Sequence, residues 1–208
     1  MGDRAVSLAR TVVLAAGCFP KRGGEAWRLL EGARRVVACD SAADAYRRRF
    51  GRWPEAVVGD MDSIRRLPAG VCAATVPDQD ANDLEKAVAY CRGRGWRAPV
   101  VVGACGRRED HTIGNVFRAL ALGVEIVTDF GRFVPFRGRK SFRVRKGAPI
   151  SVFAPDPATK MASRGLEWPL DGVRFENLYC ATLNRAAACA VRLTADRPVL
   201  VYLANRGT

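Results

Sequence analysis

The feature that most restricts how this chain can fold is a change of rhythm near Gly131. Before it, short apolar runs alternate with stretches of helical periodicity. The strand candidates are Thr11–Ala16, Arg35–Cys39, Ala56–Gly59, Cys72–Val76, Pro99–Gly103 and Val124–Thr128. Between them lie helical stretches near Gly24–Gly32, Ser41–Phe50, Asn82–Arg94 and Asp110–Leu122. Two carry internal support. Asn82 followed by Glu85 has the spacing of a capping box, with Leu84, Val88 and Cys91 on one face. In the other, Ile113, Phe117 and Leu120 share a face. Strands alternating with helices predict a mostly parallel, Rossmann-like sheet covered on both sides.

After Gly131 short runs follow one another without helical periodicity: Arg132–Phe136, Ser141–Arg145, Ile150–Phe153, Ala187–Leu193 and Val199–Leu203. Gly147, Pro155-Asp156-Pro157 and Asp171-Gly172 punctuate them. This pattern predicts an all-β second domain, a sandwich or small barrel. The expected boundaries are an α/β domain over 1–130 and a β domain over 131–208.

Composition narrows the class. Hydrophobic residues make up 49% and charged residues 26% of the 208, enough to build a sizeable core. The N-terminus has no uninterrupted apolar run, and no stretch approaches the ~18 apolar residues of a membrane span. A cytoplasmic protein with no membrane partner is expected. The seven cysteines form no CxxC pair and several sit in apolar runs, so buried free thiols are expected rather than a disulfide framework. One histidine and no ligand spacing argue against zinc. The net charge of +13 fits either nucleic-acid binding or attraction to a small polyanion such as ATP. Its densest segment, Arg137–Lys146, alternates Phe142 and Val144 with Arg143 and Arg145, which reads as a half-buried strand with a solvated basic face. No helix-turn-helix or RNA-binding signature accompanies it, so no specific nucleic-acid partner is expected.

The acidic residues fall in a telling order. Asp40 follows the strand ending at Cys39, and Asp60 and Asp62 follow the strand ending at Gly59. Asp78, Asp80 and Asp83 follow the next strand, and Asp110 lies just beyond Gly103. In an open parallel sheet the carboxyl ends of the strands share one edge, where ligands bind. Carboxylates gathered there need a compensating cation, and magnesium takes oxygen ligands together with substrate phosphates. Any one of these aspartates equally suits a helix cap. It is the set that points to a metal, above all the alternate carboxylates of Gly59-Asp60-Met61-Asp62-Ser63. The segment Gly103–Thr112 joins a strand to a helix, with glycines for close backbone approach and Arg107 or Arg108 placed to clamp a phosphate. There is neither a GxxxxGK[ST] nor a GxGxxG pattern, which excludes a P-loop enzyme and an ordinary dinucleotide binder.

Five motifs then occur in a specific order. They are Cys39-Asp40-Ser41-Ala42-Ala43-Asp44; Gly59-Asp60-Met61-Asp62-Ser63; Asp78-Gln79-Asp80-Ala81-Asn82-Asp83-Leu84-Glu85-Lys86-Ala87; the run Gly103–Asn115 containing Arg108, Asp110 and His111; and Gly165-Leu166-Glu167-Trp168-Pro169-Leu170. Their order and spacing resemble the thiamine pyrophosphokinases, and the resemblance runs from about Val12 to Leu203. It implies an α/β catalytic domain, a C-terminal β-sandwich, and a homodimer that binds thiamine where subunits meet. It implies diphosphate transfer from ATP to thiamine, with magnesium on Asp60, Asp62 and Asp83. Arg108 and Asp110 complete the implied catalytic set. Asp40, Gln79, Arg107, His111 and Asn115 are the expected ATP-binding residues, and Trp168 and Asn184 the expected thiamine-binding residues. A tryptophan ring suits a flat cationic heterocycle, whose charge its π-face attracts.

This chain departs from the family pattern in places. Ser41-Ala42 stands where the family has paired glycines, Asn82 where it has a threonine, and Leu183 where a serine precedes the asparagine matching Asn184. Two alternatives therefore stay open: a diphosphokinase for another hydroxymethyl heterocycle such as a pterin, and a basic nucleic-acid- or nucleotide-binding module without turnover.

Overall fold

The computed structural model of this protein describes residues 11–59, 68–75 and 81–205. Of the residues singled out above, Asp60, Asp62, Asp78, Gln79 and Asp80 lie outside the described residues.

The chain divides into two compact units. The first reaches Arg118 and takes in Ile126–Asp129; the second comprises Ala119–Glu125 and the chain from Phe130 onward. Up to Val127 the elements are β1 (Thr11–Leu14), α1 (Glu25–Glu31), β2 (Arg35–Cys39), α2 (Ala42–Phe50), β3 (Ala56–Gly59), β4 (Cys72–Thr75), α3 (Asp83–Gly93), β5 (Val100–Val102), α4 (Glu109–Leu122) and β6 (Glu125–Val127). The strands lie in the order β6-β5-β1-β2-β3-β4. The pairs β1–β2, β1–β5, β2–β3 and β3–β4 are all parallel. β1 and β3 are buried along their whole length, as expected of strands covered on both faces, which is why they read as unbroken apolar runs. Leu14, Leu30, Val57 and Tyr46 anchor the core on one side of this sheet.

Local signals set the helix ends. Asn82 Oδ1 accepts from the Glu85 N–H at 3.0 Å and Glu85 Oε2 accepts from the Asn82 N–H at 3.0 Å, so the capping box forms in full. Leu84, Val88 and Cys91 are buried as the pattern required. The Glu85 carboxylate also pairs with Arg118 on α4, so one side chain caps α3 and ties it to the next helix. In α4 the expected face is rotated: Ile113 is 61% exposed, while Val116 and Ala119 are the buried pair. Both faces carry apolar residues at helical spacing, and only packing selects between them.

In the second unit, the described residues from Gly131 onward form strands β7 (Gly131–Arg143), β8 (Pro149–Phe153), β9 (Met161–Arg164), β10 (Ala181–Arg185) and β11 (Ala190–Ala204). β7 and β11 run antiparallel over nearly their full lengths. The sequence divided each into two runs, because Arg137–Lys140 and Thr194–Pro198 carry no apolar pattern. Backbone pairing does not need one. Between Ala195↔Gly138 and Val199↔Phe136 the register shifts, with one intervening residue of β7 (Arg137) against three of β11 (Asp196, Arg197 and Pro198), so an irregularity bends both strands instead of ending them. β11 pairs β9 before this bend and β8 after it. β9 and β10 escape sequence reading: in Met161–Arg164 only Met161 is buried, and β10 is itself irregular where it pairs with β8. Val191, Leu193, Val199, Val201, Phe142 and Phe175 fill this unit's core.

The cysteines correct another expectation. All seven are free, but only Cys39 and Cys91 are buried; Cys72 and Cys105 are half-buried, and Cys18, Cys180 and Cys189 are exposed. An apolar neighbourhood in sequence does not bury a residue that falls in a turn.

The capping box yields a stability prediction. Asn82→Ala removes the side-chain acceptor for the Glu85 N–H and should lower unfolding free energy by about 1 kcal/mol. A urea unfolding curve would read this as a lower midpoint at unchanged slope.

Candidate functional site

The strand order places a site before any side chain is considered. From β1 the chain steps outward through β2, β3 and β4, then returns to β5 on the other side of β1. Connections leaving neighbouring strands in opposite directions open a crevice at their carboxyl ends. Here the loops after β1 and β5 line that crevice and are bonded to each other. Ala15 N–H donates to Val102 O at 2.9 Å, Gly17 N–H to Gly103 O at 2.7 Å and Cys18 N–H to Cys105 O at 2.8 Å. A Cβ on Gly17 would stand 2.4 Å from Gly103 O, and one on Gly106 would stand 2.5 Å from Cys18 Sγ. Only glycine permits loops this close.

The crevice is a cavity of about 350 Å³. Its wall is formed by Ala15–Gly17, Cys39, Asn82–Leu84, Ala104, Gly106–Arg108, His111 and Asn115. Of the residues expected from sequence, Asp83, Arg107, Arg108, His111 and Asn115 therefore meet on one cavity. Asp40 stands one residue beyond the wall residue Cys39, with φ +40° and its N–H donating to Val58 O at 3.0 Å. A Cβ on Gly59 would lie 3.1 Å from the Asp40 Cβ, so the backbone leading into Asp60 packs directly on Asp40. Sequence reading missed Ala15–Gly17. Their signal is a run of small residues, Ala-Ala-Gly, immediately after a buried strand.

The cavity wall carries both signs of charge. Asp83 opens α3. The Cys39 thiol donates to Asp83 O at 3.5 Å. Burial pushes that thiol well above its ordinary range, and the charges of Asp83, Cys91 and Asp40 add to the effect, so it stays protonated. The same wall carries Arg107 and Arg108 with the amino end of the 14-residue α4, a combination that favours anions. Arg107 has φ +65° and its Nη1 donates to Ala16 O at 3.2 Å, which fixes the guanidinium across the loop after β1. Arg108 meets Asp110 through two bonds, Nε to Oδ1 at 3.1 Å and Nη2 to Oδ2 at 2.6 Å. Both side chains are exposed, so the pair adds little to stability. Its effect is to orient the fork. Asn115 uses both ends of its amide, accepting from Asn82 Nδ2 at 3.2 Å and donating to Ala104 O at 2.9 Å. It thus braces the amino end of α3 against the loop after β5. Among the described residues no group of three His, Cys, Asp or Glu side chains could hold a metal ion.

Trp168 and Asn184 lie in the second unit. Asn184 is 3% exposed, donates from Nδ2 to Trp168 O at 2.7 Å and accepts the Trp168 N–H at 3.2 Å. Its amide holds the tryptophan backbone. The Trp168 side chain is exposed, as is that of Leu183, which has φ +60°.

The Arg108–Asp110 pair makes a prediction about acid. Hydrogen bonding to Arg108 holds the Asp110 carboxyl down to about 2, below its ordinary 3.8. A depressed carboxylate pKa keeps the pair intact above the ordinary value and loses it as pH falls through about 2. Carboxyl-detected NMR should show this midpoint in the native protein, and it should return toward 3.8 in Arg108→Gln.

The model of the thiamin pyrophosphokinase catalytic domain matches residues 26–127, and that of the thiamin pyrophosphokinase substrate-binding domain matches residues 131–202. A curated relative, thiamin pyrophosphokinase 1 of Caenorhabditis elegans, is 36% identical over 90 residues. That match spans 38% of this chain and only 37% of the relative. Among solved structures, a thiamin pyrophosphokinase family protein from Enterococcus faecalis aligns with a TM-score of 0.76 at 14% identity, covering 96% of this chain and 100% of that one. Thiamin pyrophosphokinase from Candida albicans aligns at 0.74 and 14% identity, covering 96% and 90%. These likenesses show the fold: an α/β part with a C-terminal β domain. With the two domain models together spanning most of its length, this chain belongs to the thiamin pyrophosphokinase family.

Proposed function

We propose that this chain transfers the terminal diphosphate of ATP to the hydroxyl of thiamine, giving thiamine diphosphate and AMP. The observation that carries this reading is the cavity at the strand-order reversal, whose wall joins Asp83 with Arg107 and Arg108 beside the amino end of a helix. In this reading the α/β domain, 1–130, is the Rossmann-like ATP-binding part. The β domain, 131–208, is a sandwich that binds thiamine and pairs two chains into a homodimer working in the cytoplasm. No helix among the described residues is long and apolar enough to cross a membrane.

The donor set suits magnesium. Asp83 supplies carboxylate oxygens at the wall, Asp40 lies against the backbone entering Asp60, and the Cys39 thiol on the wall stays protonated. Oxygen donors with no thiolate fit a hard cation. Asp60, Asp62 and Asp83 would hold it. Bound there, magnesium neutralises charge on the phosphate oxygens.

The chain's own residues account for the rest. The thiamine oxygen forms a bond to the β-phosphorus as the bond from that phosphorus to the α,β-bridging oxygen breaks, and AMP leaves with the electron pair. The hydroxyl proton passes to a carboxylate of the aspartate set. Arg107 and Arg108 hold phosphate oxygens, and Asp110 keeps the Arg108 fork oriented for paired contacts. Gly17 and Gly106 let the loops after β1 and β5 close on each other and so shape the wall that the nucleotide meets. Positioning and charge compensation are the main sources of rate. Trp168 offers its exposed ring to the thiamine heterocycle, while Asn184 fixes the backbone that carries it.

A second reading keeps the chemistry and changes the acceptor. Leu183, where the family has serine, is 84% exposed and offers no hydroxyl, which favours a different hydroxymethyl heterocycle. The +13 charge, by contrast, gives little support to a nucleic-acid module. Arg49 sits 4.2 Å over Phe19, Arg47 4.8 Å over Trp53 and Arg35 4.9 Å over Trp96, so several aromatic faces are already occupied by the chain's own arginines.

Two sets of variants test the proposal. Asp60→Asn, Asp62→Asn and Asp83→Asn should each lower AMP formation by orders of magnitude while circular dichroism remains unchanged. Near-normal turnover in all three would sink the metal assignment. Trp168→Ala should weaken thiamine use by about 1 kcal/mol and leave ATP affinity unchanged. A panel of hydroxymethyl heterocycles assayed for ATP-dependent AMP release separates the two acceptors. Turnover of a pterin but not thiamine, in both the native chain and Leu183→Ser, would replace the substrate and keep the reaction.

A further inference from the structure

The second unit contains a cavity of about 520 Å³ that the proposed reaction does not use. Strand register builds it. Leu203 on β11 is flanked by Arg132 on β7 and Ile150 on β8, so three strands form a rigid wall in which Pro149 and Ala204 continue the line. The segment after β7 closes the other side. Val144 N–H donates to Cys189 O at 3.1 Å, and Ala148 N–H to Arg145 O at 3.0 Å in a turn through Gly147. The floor is apolar, with Val144, Ala148 and Leu203.

The charge is one-sided. Arg132, Arg143 and Arg145 line the cavity, and among the described residues no acidic side chain does. Arg132 is half-buried and tied to Glu125 at 2.9 Å. Arg143 and Arg145 are exposed and have no ion pair among the described residues. Two uncompensated guanidinium groups at the rim of an apolar pocket match an anionic group joined to an apolar ring. A polyanionic strand would need an extended basic surface with free aromatic faces; a half-open cavity of this size fits one small molecule.

We infer that this cavity is a second ligand site that binds a small organic phosphate, with the phosphate between Arg143 and Arg145 and the ring on the Val144–Leu203 floor. The inference does not depend on the reading of the α/β cavity. It gives this domain a means of sensing phosphorylated compounds separate from turnover.

Cys189, exposed and on the cavity wall, provides a local readout. The full chain would be alkylated with iodoacetamide in the presence of AMP or thiamine diphosphate, and modification at each cysteine followed by peptide mass spectrometry. At ligand concentrations about ten times the dissociation constant, mass action predicts about tenfold slower labelling of Cys189. Labelling of the exposed Cys180 should be unchanged. The surface variant Arg143→Ser/Arg145→Ser should abolish the protection. An unchanged Cys189 rate with both compounds, or protection that survives in the double variant, would overturn the proposal. Neither outcome bears on AMP formation at the other site, which is assayed separately.

Discussion

The α/β unit depends on the pairing of β1 with β5, two strands far apart in sequence and adjacent in space. That pairing brings the loop after each strand against the other, and three backbone bonds from Ala15, Gly17 and Cys18 lock them together. Gly17 and Gly106 are needed because side chains there would collide with Gly103 O and Cys18 Sγ. Once the loops are locked, Arg107 spans to Ala16 and the amino end of α4 faces the cavity. Close packing of these loops thus places the positive half of the site.

The negative half is placed differently. Asp83 depends on where α3 begins, and the Asn82–Glu85 capping box sets that point to within a residue. The same Glu85 engages Arg118, and the Asn82 amide engages Asn115. Helix start and site geometry are therefore one network: a residue that reads as a ligand contact, Asn115, acts as a brace. Asn184 repeats this in the β domain, where a buried amide spends its bonds on the Trp168 backbone. Buried polar groups must be satisfied, and a side chain with all its bonds made inside the protein is a positioning element.

The β domain is organised by β11, which pairs along one edge with β7 and along the other first with β9 and then with β8. The irregularity between Ala195 and Val199 allows the change of partner. Arg132 and Arg143, from the two ends of β7, both stand on the wall of a single cavity. A basic run that reads along the chain as a solvated strand face thereby acquires a concave surface.

The sequence by itself determined the order of strands and helices in the α/β unit, the start of α3, and the line of carboxylates after successive strands. Each is written in neighbouring residues: period, capping spacing, or the position of an aspartate after an apolar run. Tertiary structure alone decided which of these residues share a cavity, and that Gly17 belongs with them, because loop contact depends on strand order. It alone turned α4 so that Val116 and Ala119 are buried and Ile113 is exposed, since two apolar stripes on one helix are equal until a partner packs against one. It also joined Arg132–Phe136 to Ser141–Arg145 as one strand. Backbone hydrogen bonds to β11 carry the pairing through residues whose side chains give no sign of it.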